Sequence, residues 1–402
     1  ASLCGMPSFA GSALSKEAVA RVAGRAAATA ACAALHGRPA HFCLVFATSG
    51  HDPQEVLAGV REVAGGARLA GCSAEGVIGK AASEESFRAV GVLAVHSDQI
   101  DFEPLLVRGY GADPAGVGRA IAERVRAHWR GDEFALLLLP DGLRGSASDL
   151  LAALDAGLPR PLPVVGGAAG DALVFEGTTQ FCDGEVASDA VTAVVLRGAG
   201  RLEFALSHGC RGIGIERTIT AAHGPWVETI DHQPAWQVFR QFLDGDPDDL
   251  NTEGAIYLSV GLPVPPNADD TEPLRIRTPL GLDKANGALL FPGGGLAQGS
   301  VIRLARRDPD AIRSSARRCA ERLARAGKGE APLFVLQFDC AGRGKQLFGS
   351  RTADELVLPL QTELGGAAPW LGFYTYGEIA PADGRSCYHN FTVALCGVYP
   401  ES

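Results

Sequence analysis

The sequence predicts an α/β fold of repeated βαβ-type units, forming mixed sheets in two related lobes. Three observations predict it. One order of elements recurs three times: long helix, apolar strand, polar or glycine-rich loop, second helix, short apolar strand, glycine-rich corner. Glycine supplies 51 of 402 residues, about 13% where ~7% is usual, with no collagen-like period. Hydrophobic residues make up 47% and charged residues 20%, which excludes a disordered chain.

The leading helices are expected over Ser15 to Leu35, Asp113 to Trp129 and Pro309 to Ala326. Asp113-Pro114 and Asp308-Pro309 each give a capping carboxylate followed by proline in the first turn. Apolar strands follow at His41 to Ala47, Phe134 to Leu139 and Leu333 to Phe338. Their loops read Thr48-Ser49-Gly50, Asp141 to Gly145, and Asp339 to Gly344. Second helices are expected at Pro53 to Ala64, Ser148 to Ala156 and Ala353 to Leu364. Short strands then run into corners at Gly71 to Gly76, Gly166 to Asp171 and Gly372 to Glu378. Closing strands fall at Ala89 to Val95, Val191 to Leu196 and Phe391 to Val398.

Strand, helix and strand at this spacing give a mixed sheet covered by helices. Further strands are expected at Leu202 to Leu206, Ala255 to Ser259 and Leu274 to Thr278, with a helix around Ala235 to Phe242. Pro263 to Asp270 carries the clearest loop or hinge signal.

Lys and Arg total 36 against 46 Asp and Glu, a net charge of −10. No basic footprint for nucleic acid is present. No apolar run approaches the ~18 residues that span a bilayer. No basic segment followed by an apolar block opens the chain, so no signal peptide is read. Met6 is the only methionine, and residues 1–5 read as lying ahead of the native start. Ten scattered cysteines show neither C-x-x-C pairs nor zinc spacing. A cytoplasmic protein with small buried thiols is expected.

Ligands in open α/β sheets gather where strands end at their carboxyl side. The glycine-rich segments all follow strands, and their polar groups are the candidate ligand-binding residues: Cys72, Ser73, Glu75, Asp171, Cys340, Arg343, Tyr374, Tyr376 and Glu378. Glycine there opens the backbone to a ligand, or else serves only tight turns. The glycines alone leave both readings open.

Catalytic signatures are missing: no G-x-S-x-G, no H-E-x-x-H and no Walker A sequence. Gly293-Gly294-Gly295 reads as a turn or bulge. Cys72 or Cys340 would serve an enzyme as nucleophile if a neighbour lowered its pKa; a structural or ligand-lining thiol is the default. His208-Gly209-Cys210 and Cys387-Tyr388-His389-Asn390 place His208 and His389 beside cysteines, where either could serve as an axial haem ligand. A hydrogen-bonded histidine at a strand end is the default there. His36, His41, His51, His96, His128, His223 and His232 read as surface or loop residues.

Three stretches resemble the FIST family, named for F-box and intracellular signal transduction. Gly71-Cys72-Ser73 and Gly166 to Asp171 are similar to corners of its amino-terminal domain. His208 to Gly214, with Thr218 and Pro234-Ala235, resembles the segment between its two domains. Phe338 to Gly344, Gly372 to Ile379 and His389 to Thr392 resemble its carboxy-terminal domain in order, which adds His389 and Asn390 to the candidate site. One departure stands out: the family's first corner ends in Gly-Glu, whereas here Val77 follows Gly76 and the acid is Glu75.

The resemblance implies an amino-terminal domain over residues 1–225 holding two units and a carboxy-terminal domain over 226–402 holding the third. It implies a stand-alone sensory protein for a small ligand, signalling through a separate protein partner. It also implies haem and nitric-oxide sensing as an alternative, since some bacterial members bind haem. An interaction scaffold, like the F-box relatives, is the remaining alternative.

Overall fold

The computed structural model describes residues 8–245, 248–250, 257–264 and 274–401. Unit one comprises β1 (Phe9–Ser15), α1 (Ala20–Ala33), β2 (Phe42–Thr48), α2 (Pro53–Ala64), β3 (Arg68–Ala74), a hairpin of β4 (Gly76–Gly79) and β5 (Ala82–Glu84), and β6 (Val90–His96). Unit two repeats the order with β7 (Ile100–Arg108), α3 (Pro114–Ala127), β8 (Glu133–Pro140), α4 (Ala147–Gly157) and β9 (Val164–Gly167). It ends in the hairpin β10 (Gln180–Cys182) and β11 (Glu185–Ala187), then β12 (Ala190–Gly198).

Unit three opens with β13 (Gly200–Ser207) and is then interrupted. The insertion carries β14 (Cys210–His223), β15 (Trp226–Ile230), β16 (Gln233–Pro234), α5 (Ala235–Arg240), β17 (Leu258–Pro263), β18 (Leu274–Arg277), β19 (Gly281–Asp283), β20 (Ala288–Leu290) and β21 (Val301–Arg307). Unit three resumes with α6 (Pro309–Ala326), β22 (Phe334–Cys340), β23 (Trp370–Thr375), the hairpin β24 (Glu378–Ala382) and β25 (Arg385–His389), and β26 (Val393–Pro400).

Capping follows the sequence signals. Asp52, Asp113 and Asp308 accept from backbone N–H groups of the first turn, each with proline just inside the helix. Small residues let α1 and α2 lie close together. A Cβ on Gly24 would stand 2.2 Å from Val56 O, and one on Gly59 2.1 Å from Arg21 O.

The three units build three sheets of matching order. They run β1-β6-β2-β3, β7-β12-β8-β9 and β13-β26-β22-β23, and each is completed by a hairpin from a different unit. Sheet one takes β10–β11 from unit two, sheet two takes β24–β25 from unit three, and sheet three takes β4–β5 from unit one. The exchange therefore runs round all three units.

Period-two alternation sorts the central strand's side chains between two cores. Phe42, Leu44 and Phe46 point to the core shared by the three sheets, while Cys43, Val45 and Ala47 face α1 and α2. Rings from every unit meet in that shared core: Phe42 stacks on Phe102 at 4.7 Å, and Phe102 lies 6.2 Å from Phe334.

Glycines recur at one structural position. Gly71, Gly166 and Gly372 lie opposite Val45, Leu138 and Gln337 across parallel strand pairs. A Cβ there would stand 1.8, 2.0 and 2.2 Å from those residues' carbonyl oxygens. The backbones approach too closely for any side chain.

The insertion forms its own sheet, β18-β17-β21-β14-β15-β20-β19 with β16 on β15, over a core including Ile219, Phe239 and Phe291. Several expectations shift. The first helix begins at Ala20, because Phe9–Ser15 is a strand paired with β6. The helix expected over Ala353 to Leu364 is a π-helical turn, Ala353–Val357, running into an α-helix over Leu358–Glu363. The expected strand start at Ala255 and most of the Pro263–Asp270 loop lie outside the described residues, as do residues 1–5 and Met6.

Candidate functional site

Hairpin exchange brings the three corners together. Ala168 N donates to Gly377 O at 2.7 Å and Tyr376 N to Ala168 O at 3.1 Å, joining corners two and three. Glu75 N donates to Tyr374 O at 3.1 Å, joining corners one and three, and Gly170 N reaches Ser73 O at 3.2 Å. Ser73 Oγ accepts from Thr179 N at 3.0 Å.

Tyr376 is the side chain at the junction. Its hydroxyl donates to Asp171 Oδ1 at 2.6 Å and lies 3.3 Å from Glu75 Oε2, while accepting from Leu173 N at 2.8 Å and Asp171 N at 3.2 Å. Asp171 also accepts from Phe175, Glu176 and Gly177 N–H groups. These bonds hold a loop in which Ala172, Leu173 and Phe175 have φ of +61°, +57° and +59°. Such angles are strained for residues with a Cβ and persist where surrounding bonds enforce them.

Burial pushes the Glu75 carboxyl up to about 8, with the charges of Glu85 and Asp171 adding to the effect. Glu75 is therefore largely protonated at neutral pH. Glu85, which accepts from Lys345 N at 2.8 Å, is pushed up to about 7, again chiefly by burial. Glu378 is fully buried, accepts from Thr375 Oγ1 at 2.5 Å and Thr392 N at 3.0 Å, and is raised well above the usual carboxylate range by desolvation.

Beside Tyr376 lies a cavity of about 240 Å³. Cys340, Ala341, Gly342 and Gln346 form one wall; Thr375, Tyr376, Asn390 and Phe391 another. Leu173 and Phe175 come from the strained loop, and Leu250, Thr278 and Leu280 from the insertion. Among the described residues, no Asp, Glu, Lys, Arg or His lines it.

Of the residues expected at the site, Cys340, Tyr376 and Asn390 line the cavity. Glu75 and Asp171 touch it through Tyr376, and Glu378 through Thr375. Tyr374 points elsewhere, its hydroxyl 2.9 Å from Ser83 Oγ. Arg343 is fully buried beneath the wall, paired with Asp339 at 3.0 Å and donating to Ser207 O at 2.9 Å. Cys72 lies in the core between the sheets, apart from the cavity lining.

Desolvation raises both Cys72 and Cys340 well above the usual thiol range. That is the reverse of what activates a nucleophile. Sequence reasoning missed Leu173, Phe175, Leu280 and Phe391 as lining residues, because apolar side chains in loops carry no signature of their own.

The two histidines do not fit a haem. His208 Nε2 is 3.0 Å from Leu274 O and its Nδ1 accepts from Cys210 N at 2.8 Å. His389 Nε2 is 3.1 Å from Ala380 O, and burial pushes its pKa down to about 3. The space they share is about 40 Å³. Gly294 and Gly295 make a turn in the left-handed region, packed against Ser146, Ser148 and Arg277.

Comparison with known proteins gives two family matches: the FIST N domain over residues 41–233 and the FIST C domain over residues 235–381. An uncharacterized protein of Mycobacterium tuberculosis is 30% identical over 389 residues, covering 94% of this chain and 96% of that protein. An uncharacterized protein of Mycobacterium bovis is 28% identical over 356 residues, 85% of each chain. Among solved structures, a chorismatase aligns over 98% of this chain and all of its own, with a TM-score of 0.35 and 11% identity.

Proposed function

Because the chain belongs to the FIST family, whose domains are linked to signal transduction and sensing, we propose that it is a sensor for a small uncharged molecule bound in the cavity beside Tyr376. One observation carries this reading. The cavity has an aromatic, apolar and amide lining without a charged side chain among the described residues, and Tyr376 in its wall bonds to Glu75 and Asp171 of the other two glycine-rich corners.

At about 240 Å³ the space falls below the ~300–1,000 Å³ of pockets for drug-sized ligands. A single-ring metabolite with a polar edge suits it. Tyr376, Phe175 and Phe391 would face the ring, and Asn390, Gln346 and Thr278 would bond its edge. A zwitterionic amino acid would leave its charges without counterions, at a high desolvation cost.

Signal output follows the same joint. Ligand against Tyr376 and Phe175 would shift the strained Asp171–Gly177 loop, whose Val174 and Phe175 are 47% and 43% exposed. A separate protein partner would read that loop. Cys32, Cys43, Cys72, Cys182, Cys319, Cys340, Cys387 and Cys396 are free thiols, which suits a reducing compartment such as the cytoplasm. No helix of the described residues is long and apolar enough to cross a membrane.

The test is a thermal-shift screen of neutral single-ring compounds against charged amino acids, on wild type and Leu280→Trp. Leu280 is at the rim, 37% exposed, so the larger ring narrows the cavity without entering the core. Neutral hits lost in Leu280→Trp support the reading. Hits confined to charged amino acids, or hits that bind both proteins equally, overturn it.

A further inference from the structure

Far from that cavity in sequence, the start of β2 and the end of β6 bring together two imidazoles and a carboxylate. His41 precedes β2 and donates its backbone N–H to Val95 O at 2.8 Å. His96 ends β6 and pairs with Phe9 of β1. Asp98 stands two residues further, in the short connection to β7. One ligand atom from each residue lies within 4.8 Å of the other two. The histidine rings are 4.3 Å apart between centroids, and Asp98 Oδ2 is 3.9 Å from His96 Nε2.

Both rings are oriented by the backbone. His41 Nδ1 is 2.8 Å from Ser97 O, and His96 Nδ1 is 2.8 Å from Pro39 O. A carbonyl only accepts, so the Pro39 contact assigns the proton of His96 to Nδ1; at His41 the shorter contact, to Ser97 O, favours the same tautomer, in which Nδ1 donates there and does not accept from Ser97 N 3.3 Å away. Each Nε2 then presents a lone pair. Imidazoles fixed through Nδ1–H to a carbonyl, with Nε2 free to bind, are the usual support for a metal-ligating histidine. His96 is 7% exposed, held between Phe9 and His41, so its ring is set before any ion arrives.

We propose that His41, His96 and Asp98 form a binding site for a divalent transition-metal ion of the Zn²⁺ class. Two nitrogens and one oxygen suit such ions and not Ca²⁺ or Mg²⁺, which take oxygen ligands. Bonds of ~2.0–2.2 Å need the three atoms to draw in by on the order of 1 Å. Exposed His41 and Asp98 supply that movement. Three protein ligands leave a fourth position open. His41 also lines a surface groove with Ser97, Arg68 and His128, through which a water or a solute donor atom would complete the coordination. The ion would fasten the start of β2 to the end of β6.

The experiment titrates chelator-stripped protein with Zn²⁺ by calorimetry and records the visible spectrum of the Co²⁺ form. Wild type is expected to bind one equivalent, with a Co²⁺ spectrum lacking thiolate charge transfer. His41→Ala and Asp98→Asn, both at exposed positions, are expected to weaken binding by at least ~10-fold, while His223→Ala leaves it unchanged. Absence of binding, undiminished binding by His41→Ala, or a thiolate band in the Co²⁺ spectrum overturns the proposal.

Discussion

The hydroxyl of Tyr376 lies 2.6 Å from Asp171 Oδ1, so a residue of the third unit's corner holds the loop that leaves the second unit's corner. The same oxygen accepts from Asp171 N and Leu173 N. Loop, corner and cavity wall therefore share one side chain.

Tyr376→Phe leaves those two backbone N–H groups without their acceptor. The expected cost is ~1–3 kcal/mol of stability by denaturant titration. Hydrogen exchange over residues 171–177 should speed up more than exchange in β8 or β12. Uniform acceleration across all three segments would count against a local joint.

Glu75 sets a pH dependence of defined sign. Burial pushes its carboxyl up to about 8 in the folded chain from an ordinary 4.5, so between those values the folded state holds the extra proton. Stability is then full below about 4.5 and falls as pH rises toward 8. Glu75→Gln, neutral at every pH, should be more stable than wild type at pH 8, by on the order of 2–4 kcal/mol, with the advantage vanishing near pH 4.5. Glu85, raised to about 7, leaves a smaller slope of the same sign. An equal advantage at both ends of the range would refute the assignment.

Thiol reactivity should follow exposure. Cys32, Cys182 and Cys387 are partly exposed, whereas Cys72 and Cys340 are buried and raised by desolvation. Alkylation of the native protein at neutral pH, read by peptide mass, should label the first three much faster. Fast labelling of Cys340 would revive a nucleophilic role.

Gly71→Ala forces a Cβ to 1.8 Å from Val45 O, where neither backbone can yield cheaply. A loss of about 3 kcal/mol is expected. Gly177→Ala has open space at the same test and should stay within ~0.5 kcal/mol of wild type. Equal losses would show that close approach is not what selects glycine at residue 71.

Much of this was legible in the residues. Capping Asp113 and Asp308 with their prolines fixed helix starts, because a cap and a rigid φ act locally. The repeated Gly71, Gly166 and Gly372 were visible as corners, but their close approach to a neighbouring carbonyl required the paired strand. Strand β1 carries no signal of its own, since Phe9–Ser15 mixes small and polar residues and owes its conformation to pairing with β6; only its last residue, Ser15, falls in the expected helix. His96 reads as a loop residue in sequence; only the packing of Phe9 and His41 shows it buried. The order of hairpin exchange left no trace, because any β4–β5 or β10–β11 sequence could equally close its own sheet.

That exchange has a consequence for synthesis. A ribosome delivers the chain from one end, yet sheet two, whose other strands all precede residue 200, gains its border on β9 only once β24 and β25 of the third unit have been made. Sheet three waits from β4 to β23 for its own partner. A chain stopped before Glu378 thus exposes an unpaired edge in its middle, not merely a shortened tail. Its first two units remain open to the wrong neighbours until Glu378–His389 has been made.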